Sequence, residues 1–354
     1  MSLPFLSDNL RPIAPPQLLN NVYTDAQYAS VVSAIRRHGP WRLIIAQHFK
    51  SVEELIATTS GAPPPPGTKL TLESFVGPTF RGYLAQNSIC YYDEVEEAFY
   101  NPKFLSYAKS YWNAKYARPT MMLFNLAGPA YDRDPGHLDS PSFRGMDGAN
   151  TPTWLLGVMG KSGLFNRWVI KKAQVITWFY KDGPGGGFTY WPDGPLAAPK
   201  RLPAPMWNKG VVVQNEAMFH RGESFGPEAL RQPAGLGWTS TIRADDTDPT
   251  GWVVETDGKP IIRYPQQQTR LLLHWNAEVF TDMQDMKTAL DHQDDLCPER
   301  VSEILLADLR KRGVNVATPS DPLADPAFVH ALTQTYAIGP SSYPVEAPLA
   351  QVAA

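Results

Sequence analysis

A histidine and an aspartate two positions apart are the residues of this sequence best suited to chemistry. They are His137 and Asp139, and they follow a segment rich in β-forming side chains, residues 120–126. Side chains at positions i and i+2 of an extended segment project to the same side, so the imidazole and the carboxylate can face one point. Together they offer two ligands to a borderline divalent metal. A second histidine would complete a two-histidine, one-carboxylate facial triad, which leaves coordination positions open for oxygen and a co-substrate.

The best candidate for the second histidine is His220, which ends the β-rich stretch that begins at residue 211. His274 is its rival as third ligand, but it lies in an apolar run, residues 271–275, and we interpret it as a core histidine. An isolated H-x-D pair is weak evidence, since short motifs arise by chance. The alternative is that His137 is a turn residue, hydrogen-bonded to a nearby carboxylate.

The residues between these two segments resemble a known family. A glycine-rich segment, residues 185–194, opens with three glycines, continues with aromatic residues and closes in Pro-Asp-Gly. The order of a strand, an H-x-D pair, this segment and a histidine on a later strand is similar to the iron(II)/2-oxoglutarate-dependent dioxygenases. It is most similar to their phytanoyl-CoA hydroxylase-like branch. The resemblance covers roughly residues 118–245.

The resemblance implies that His137, Asp139 and His220 hold Fe(II), with 2-oxoglutarate as co-substrate and O2 as oxidant. It also implies an arginine after the distal histidine that pairs with the far carboxylate of 2-oxoglutarate, a task suited to the planar guanidinium fork. Arg231, eleven residues beyond His220, is the first candidate, and Arg243, in the predicted strand 238–243, is the second. Halogenating members of the family lack the carboxylate ligand, so the presence of Asp139 favours hydroxylation or another oxidation over halogenation.

The surrounding sequence predicts a mainly β core with flanking helices. Short β-rich segments separated by Gly and Pro dominate residues 120–280, whereas helical patterns precede and follow them. We predict a double-stranded β-helix (a cupin-like jelly roll) over residues 1–282 and a C-terminal helical extension over 283–354. Further predictions are helices from residues 26 to 37 and 51 to 58, a strand from 41 to 49, and a loop or rigid spacer at prolines 63–66. Two pairs of alternating aromatic residues are interpreted as core rather than pocket: Trp178 with Tyr180, and Phe188 with Tyr190.

Composition narrows the range of partners. The net charge is −3 and the basic clusters are short, so the electrostatic footprint of a nucleic-acid-binding protein is absent from the sequence. There is no apolar run of the roughly 20 residues that a membrane-spanning helix needs, and no signal peptide pattern begins the sequence. We therefore expect a cytoplasmic protein. Cys90 and Cys297 are predicted to be buried free thiols.

These expectations combine into one prediction and two alternatives. The prediction is a 2-oxoglutarate-dependent dioxygenase that oxidises a small-molecule substrate and releases succinate and CO2. One alternative is a cupin-like metal enzyme that uses the same three ligands but no 2-oxoglutarate. The other is a non-enzymatic jelly-roll binding protein. The sequence leaves open the substrate, the choice between hydroxylation, desaturation and cyclisation, and the oligomeric state.

Overall fold

Antiparallel strands form two sheets in the computed structural model, which describes residues 10–59, 69–132, 134 and 136–338. The larger sheet contains, in spatial order, β1 (Gln17–Asn20), β9 (Met206–Val213), β6 (Lys172–Tyr180), β14 (Arg270–Phe280), β5 (Tyr116–Ala127), β3 (Thr79–Gln86), β2 (Trp41–Leu43), β11 (Thr241–Ala244), β12 (Trp252–Thr256) and β13 (Lys259–Tyr264). β4 (Ile89–Cys90) pairs with β3. The smaller sheet has the order β10 (His220–Gly222), β7 (Phe188–Tyr190) and β8 (Lys200–Leu202).

The chain alternates between the two sheets as it builds the centre of the molecule. It passes from β5 to a bridge between His137 and His220 beside the smaller sheet, and then to β6 in the larger sheet. It continues through β7 and β8, returns to the larger sheet with β9, and passes through β10 to β14. This alternation of antiparallel strands between two sheets is a double-stranded β-helix. The sequence prediction of a mainly β jelly-roll core is confirmed.

The two faces of the larger sheet have different roles, because side chains alternate along a strand. On β14, Leu271, Leu273 and Trp275 belong to the main hydrophobic core, on the face covered by N-terminal helices. Leu272 points to the opposite face and packs against the cluster between the two sheets. That opposite face, here called the inner face, includes every second residue of β14 from Arg270 onward.

Helices precede, interrupt and follow the β core. Their bounds are α1 (Asp25–Arg37), α2 (Ile44–His48), α3 (Val52–Thr58), α4 (Glu96–Phe99), α5 (Pro102–Trp112), α6 (Thr153–Ser162), α7 (Met283–Leu290), α8 (Pro298–Lys311) and α9 (Pro326–Thr335). Thr24 caps α1 in a capping box with Gln27, and Ser51 caps α3 through the backbone N–H of Glu54. These caps satisfy N–H groups that a helix start leaves without partners, and they confirm the two predicted helix starts.

A second hydrophobic core joins the C-terminal helices to the segment that carries the H-x-D pair. Leu138 and Phe143 share this cluster with Trp154 of α6, Val301 of α8 and Phe328 of α9. None of the five is more than 6% exposed. The predicted helices in the C-terminal region are confirmed, whereas the division into domains at residues 282 and 283 stays a prediction.

Several local predictions differ from the structure. The predicted strand 41–49 is wrong, because β2 ends at Leu43 and α2 follows directly. The helix α6 was not predicted, and nearly all of its residues are buried. The prolines at 63–66 lie outside the described residues. Cys90 and Cys297 are both free, as predicted, but Cys90 is half-buried and Cys297 is exposed.

A hairpin turn at Asp257-Gly258 joins β12 to β13, and both turn residues have positive φ, 50° and 73°. Among the residues that the structure describes, no helix is long and apolar enough to span a membrane.

Candidate metal centre

The backbone of two distant segments brings His137 and His220 together. Their N–H groups and carbonyls exchange hydrogen bonds, each 3.0 Å long, as in an antiparallel strand pair. Residues that are directly opposite in such a pair project to the same side, and the two imidazole rings lie 4.5 Å apart between centroids. The pairing continues at Asp139, whose N–H donates to the carbonyl of Asn215 at 3.1 Å. The jelly roll therefore places the H-x-D segment and the distal histidine side by side.

The ligand atoms converge on a small volume. The Nε2 atoms of His137 and His220 lie 3.6 Å and 3.7 Å from Oδ1 of Asp139. All three ligand atoms are within 4.8 Å of one another. A metal bound at about 2.1 Å by such ligands needs them roughly 3 Å apart, so the two distances between imidazole and carboxylate exceed that value by less than about 1 Å. The donor set of two imidazoles and one carboxylate is suited to Fe(II).

Each histidine also has a partner on its other ring nitrogen. His220 donates from Nδ1 to the carbonyl oxygen of Met218 at 2.9 Å, which leaves the lone pair of Nε2 directed at Asp139. Nδ1 of His137 contacts the carboxylate of Asp134. A hydrogen bond on the distal nitrogen fixes the tautomer and the ring orientation of a metal-binding histidine. The two rings are thus held in the form that binds a cation through Nε2.

The carboxylate of Asp139 is oriented by a buried glutamine. Nε2 of Gln174 donates to Oδ2 of Asp139 at 2.8 Å, and Oε1 of Gln174 accepts the N–H of Asn215 at 3.0 Å. Gln174 lies on β6 and is 1% exposed. Because Oδ2 is engaged by this amide, Oδ1 remains to face the two histidines.

The charges at the site favour a bound cation. Burial lowers the pKa of His137, but the Asp134 and Asp139 carboxylates outweigh it and raise that pKa to about 10. Burial and the neighbouring His137 lower the pKa of His220 to about 4. Burial raises the pKa of Asp139, but the histidines around it hold that pKa well below its usual range. A proton on His137 therefore balances the carboxylates in the metal-free protein, and a metal would displace it.

His274 lies beside the three residues without joining them. Its Nε2 is 3.9 Å from Oδ2 of Asp139, the oxygen directed away from the other two imidazoles. The same Nε2 is buried and has no hydrogen-bond partner among the described residues. The group of three ligand atoms that the geometry gathers is His137, Asp139 and His220, so the rival assignment of His274 as third ligand is not favoured.

Neither Arg231 nor Arg243 forms a hydrogen bond or ion pair with the three proposed metal ligands among the described residues. Arg243, on β11, has its guanidinium in ion pairs with Glu255 and Asp246, each at 2.7 Å. Arg231 donates from Nε to the carbonyl oxygen of Gly226 at 3.1 Å, and its guanidinium lies 5.4 Å from the ring centroid of Tyr131. The ion pairs of Arg243 leave it little capacity for a further carboxylate.

A third arginine, which the sequence reasoning missed, is positioned between the two sheets. Arg270 begins β14 on the inner face, and its guanidinium lies 4.6 Å from the ring centroid of Phe225. Its Nη1 is 3.4 Å from the carbonyl oxygens of Gly186 and Glu223, and no ion pair involves Arg270 among the described residues. Burial lowers the pKa of this guanidinium. The charges of Asp132 and Glu223 oppose that effect, but neither carboxylate forms an ion pair with Arg270 among the described residues. A half-buried cation whose hydrogen-bond acceptors are two carbonyl oxygens at long distance is suited to receive an anion.

Tyr180 adds a hydroxyl to the same region. Its ring packs on Phe225 at 5.3 Å between centroids, and its buried hydroxyl has no hydrogen-bond partner among the described residues. Burial raises the pKa of Tyr180, and the nearby backbone of Gly226 and then the positive charge of Arg270 oppose the effect. The hydroxyl therefore remains a neutral donor near the guanidinium.

The other predicted aromatic residues lie between the sheets. Trp178, Phe188 and Tyr190 are buried in the inner cluster, and the ring of Phe188 is 5.5 Å from that of His220. Phe188 and Tyr190 stack at 5.7 Å between centroids. They form the apolar floor beside the metal centre, in agreement with their interpretation as core.

Comparisons with known proteins give structural likeness only. No family model and no curated protein matches the sequence. A 2OG-Fe(II) oxygenase family oxidoreductase from Burkholderia pseudomallei matches with a TM-score of 0.37 and 11% identity, covering 74% of this chain and 84% of that one. HygX from Streptomyces hygroscopicus, solved with nickel, 2-oxoglutarate and hygromycin B, matches with a TM-score of 0.34 and 10% identity. The match covers 75% of this chain and 84% of that one.

A collagen prolyl hydroxylase of Paramecium Bursaria Chlorella virus-1, solved with 2-oxoglutarate, matches with a TM-score of 0.34 and 9% identity, covering 75% of this chain and 98% of that one. At these identities and scores the likeness does not assign the chain to a family.

Proposed function

We propose that this protein is a non-haem iron(II)- and 2-oxoglutarate-dependent dioxygenase that oxidises a small molecule. The observation that carries the proposal is the convergence of His137, Asp139 and His220 within 4.8 Å. The arrangement has two further properties of a functional metal site: each histidine is fixed by a partner on Nδ1, and the carboxylate is oriented by Gln174. Three ligands on one side leave the other coordination positions for co-substrate and oxygen.

We further propose that Arg270, rather than Arg231 or Arg243, binds the far carboxylate of 2-oxoglutarate. Arg270 projects from β14 on the same inner face as His274, which contacts Asp139. Its guanidinium has no carboxylate partner among the described residues, in contrast to that of Arg243. Two parallel N–H donors match a carboxylate, and the Tyr180 hydroxyl supplies a third donor in the same region.

The chain's own residues would then have separate roles. His137, Asp139 and His220 would hold the iron, which when bound with 2-oxoglutarate supplies the oxidising power for attack on a C–H bond. Arg270 and Tyr180 would orient the co-substrate. The aromatic floor formed by Trp178, Phe188 and Tyr190 would exclude water from one side of the centre, and excluding water strengthens the electrostatic interactions there. The carboxylate ligand favours hydroxylation over halogenation.

The proposal is tested by the binding of iron and co-substrate without turnover. Anaerobic addition of Fe(II) and 2-oxoglutarate to the full chain should give the weak visible charge-transfer band of a chelated 2-oxoacid. Asp139→Ala should abolish the band. Arg270→Gln should weaken 2-oxoglutarate binding at least about 30-fold, since truncating one partner of a buried charged pair costs about 2–5 kcal/mol.

Arg231→Gln and Arg243→Gln are the matched controls, because each removes the same charge from a residue that the sequence nominated. Both should leave the 2-oxoglutarate affinity unchanged. An effect confined to Arg231→Gln or Arg243→Gln would return the anchor to the residue predicted from the sequence. A protein that binds Fe(II) with no response to 2-oxoglutarate would be the cupin-like alternative. A protein that binds no metal would be the non-enzymatic one.

The closer assignment to the phytanoyl-CoA hydroxylase-like branch stays a prediction, as does a cytoplasmic location. A small-molecule substrate is favoured by the position of the metal between the two sheets of the jelly roll, where an enclosed ligand would contact both.

A further inference from the structure

Two arginines face each other across the strands that extend the larger sheet beyond β5. Arg42 of β2 and Arg81 of β3 are directly opposite in the antiparallel register. The next rung, Leu43 opposite Phe80, is completely buried in the main core on the other face. Both arginines therefore project from the inner face. Like charges directly opposite in a strand pair destabilise it, so an arrangement of this kind has a cost unless an anion lies between them.

The described contacts of these arginines provide no such anion. Arg81 donates from Nε to Oδ1 of Asn125 at 2.8 Å, and its Nη1 lies 3.1 Å from Nε2 of His48. Burial and the neighbouring Arg81 lower the pKa of His48 to about 4, so the imidazole is neutral and accepts the hydrogen bond. Among the described residues no carboxylate forms an ion pair with Arg42 or Arg81, and the exposed side of Arg42 leaves the pair open to solvent.

The pair is continuous with the proposed metal centre. Arg81 is in register with Asn125 on β5, and Asn125 is in register with Leu272 on β14. The adjacent inner-face residue of β14 is His274, which contacts Asp139. Burial lowers the pKa of the Arg81 guanidinium, and the neighbouring Tyr83 and then the Asp139 carboxylate oppose the effect, so Asp139 is near enough to act on this arginine. A molecule held by the two arginines would therefore extend along the inner face toward the metal.

The N-terminal segment closes this region on another side. Beyond β2, α2 carries His48 to Arg81, and the residue that follows α3, Thr59, forms an isolated bridge with His137. The segment thus runs from the arginine pair to a metal ligand. Arg42 is exposed, whereas Arg81, His48, Asn125 and Tyr83 are partly exposed, so solvent reaches this part of the inner face.

We propose that Arg42 and Arg81 form a substrate subsite that binds an anionic group, a carboxylate or a sulfate or phosphate ester, and so present the rest of the molecule to the metal. This proposal rests on the proposed function, because it places the anion relative to the iron. It assigns the two inner-face cationic sites to different ligands. Arg270, between the two sheets, takes the co-substrate, and the Arg42–Arg81 pair, on the part of the larger sheet beyond β5, takes the substrate.

The experiment uses probes that have the same shape and differ in charge. Phenylacetate, phenyl phosphate and the neutral phenylacetamide are titrated into the full chain, and dissociation constants are measured by ligand-observed NMR at constant ionic strength. The wild-type protein should bind at least one of the anions about tenfold or more tightly than the amide, as hydrogen bonds to charged groups are the strong ones. The comparison of phenylacetate with phenyl phosphate shows which anion the pair prefers.

The variants distinguish this site from the others. Arg81→Gln and Arg42→Gln should each reduce the preference for the anion to about twofold or less. Arg300→Gln removes an exposed arginine of α8 with the same charge change and should leave the preference intact. If Arg81→Gln fails to fold, the exposed Arg42→Gln carries the test, and Arg81→Lys should keep part of the preference.

The outcomes separate this inference from the proposed function. A preference that survives Arg42→Gln and Arg81→Gln, or is lost only in Arg270→Gln, overturns the inference even when the Fe(II)/2-oxoglutarate band is intact. Equal binding of all three probes to the wild-type protein overturns it as well. Conversely, a missing band with an anion preference that depends on Arg81 refutes the oxygenase while supporting the anion site.

Discussion

Gln174 is the residue whose replacement best tests how the metal centre is built. It does not contact the proposed metal position, yet its amide joins Oδ2 of Asp139 to the backbone N–H of Asn215, at 2.8 Å and 3.0 Å. Gln174→Leu keeps the approximate volume and removes both hydrogen bonds. The Asp139 carboxylate is then free to rotate, and the N–H of Asn215, in a residue that is fully buried, loses its partner.

The expected magnitudes follow from those two bonds. A hydrogen bond to a charged group is worth about 1.5–3 kcal/mol, and loss of a residue that orients a metal ligand typically costs about 10- to 100-fold in affinity. We expect the affinity for Co(II), an air-stable substitute for Fe(II), to fall within that range. The unpaired N–H should also lower the free energy of unfolding by about 1–3 kcal/mol.

The assay is competition for Co(II) against a chromophoric chelator, with denaturant unfolding measured in parallel. Gln266→Leu is the matched control, because it removes the amide of a glutamine whose side chain bonds to Tyr28 instead of the metal centre. It should change the Co(II) affinity less than twofold. An equal loss in both variants, or no loss in Gln174→Leu, would refute the idea that this amide fixes the carboxylate.

Three further predictions concern the surroundings of the site. Arg144 forms an ion pair with Asp294 through two hydrogen bonds of 2.5 Å and 2.9 Å, which Arg144→Gln removes. The variant should have a free energy of unfolding lower by about 1 kcal/mol and an unchanged Co(II) affinity. A loss of Co(II) affinity would instead give Arg144 a role in the metal site. Gly136→Ala should destabilise the protein by about 1–3 kcal/mol and weaken Co(II) binding, because φ is +109° and the new Cβ would lie 2.5 Å from the Phe219 ring; unchanged unfolding would contradict this. Burial raises the pKa of Glu216 to about 7. Between the ordinary carboxyl pKa and about pH 7, the folded protein without metal therefore binds one more proton at this residue than the unfolded chain does. The contribution of Glu216 to the free energy of unfolding falls as the pH rises through this range. The variant Glu216→Gln should therefore have a higher free energy of unfolding than the wild type at pH 8, by up to about 3 kcal/mol more than the difference between them at pH 4.5. If the free energies of unfolding of the two proteins change with pH in parallel, the pKa of this carboxyl is not raised.

The sequence predicted those parts of the fold that depend on local patterns. Capping residues such as Thr24 and Ser51 satisfy helix N–H groups within one turn, so they mark helix starts without tertiary information. The strand 41–49 failed for the opposite reason, because its apolar residues suit a short strand and a short helix equally well. α6 was missed since it is buried on nearly every side and has no polar face to give it a period.

The sequence predicted the part of the candidate site whose residues are close together along the chain. It did not predict the contacts that depend on how distant strands pair. His137 and Asp139 are two residues apart, and an extended backbone alone gives them a common side. The link to His220 needed the antiparallel pairing that the fold supplies. The partners that orient the ligands, Gln174 above all, carry no local signal, because a buried glutamine on a β-strand has the same sequence appearance as any other polar residue there.

The three candidate arginines show that a residue's distance from His220 in the sequence does not predict its position in the fold. Between β10 and β14 the chain inserts β11, β12 and β13, which extend the larger sheet from β2. An interval counted from His220 therefore falls within the insertion, at Arg231 and Arg243, whereas the strand that returns to the jelly roll begins with Arg270. Only that strand is constrained to lie between β5 and β6 and to place alternate side chains on the inner face. A residue required beside the metal centre is therefore placed by its strand rather than by its distance in sequence from His220. The same segment also pairs β11 with β2, the strand that carries Arg42.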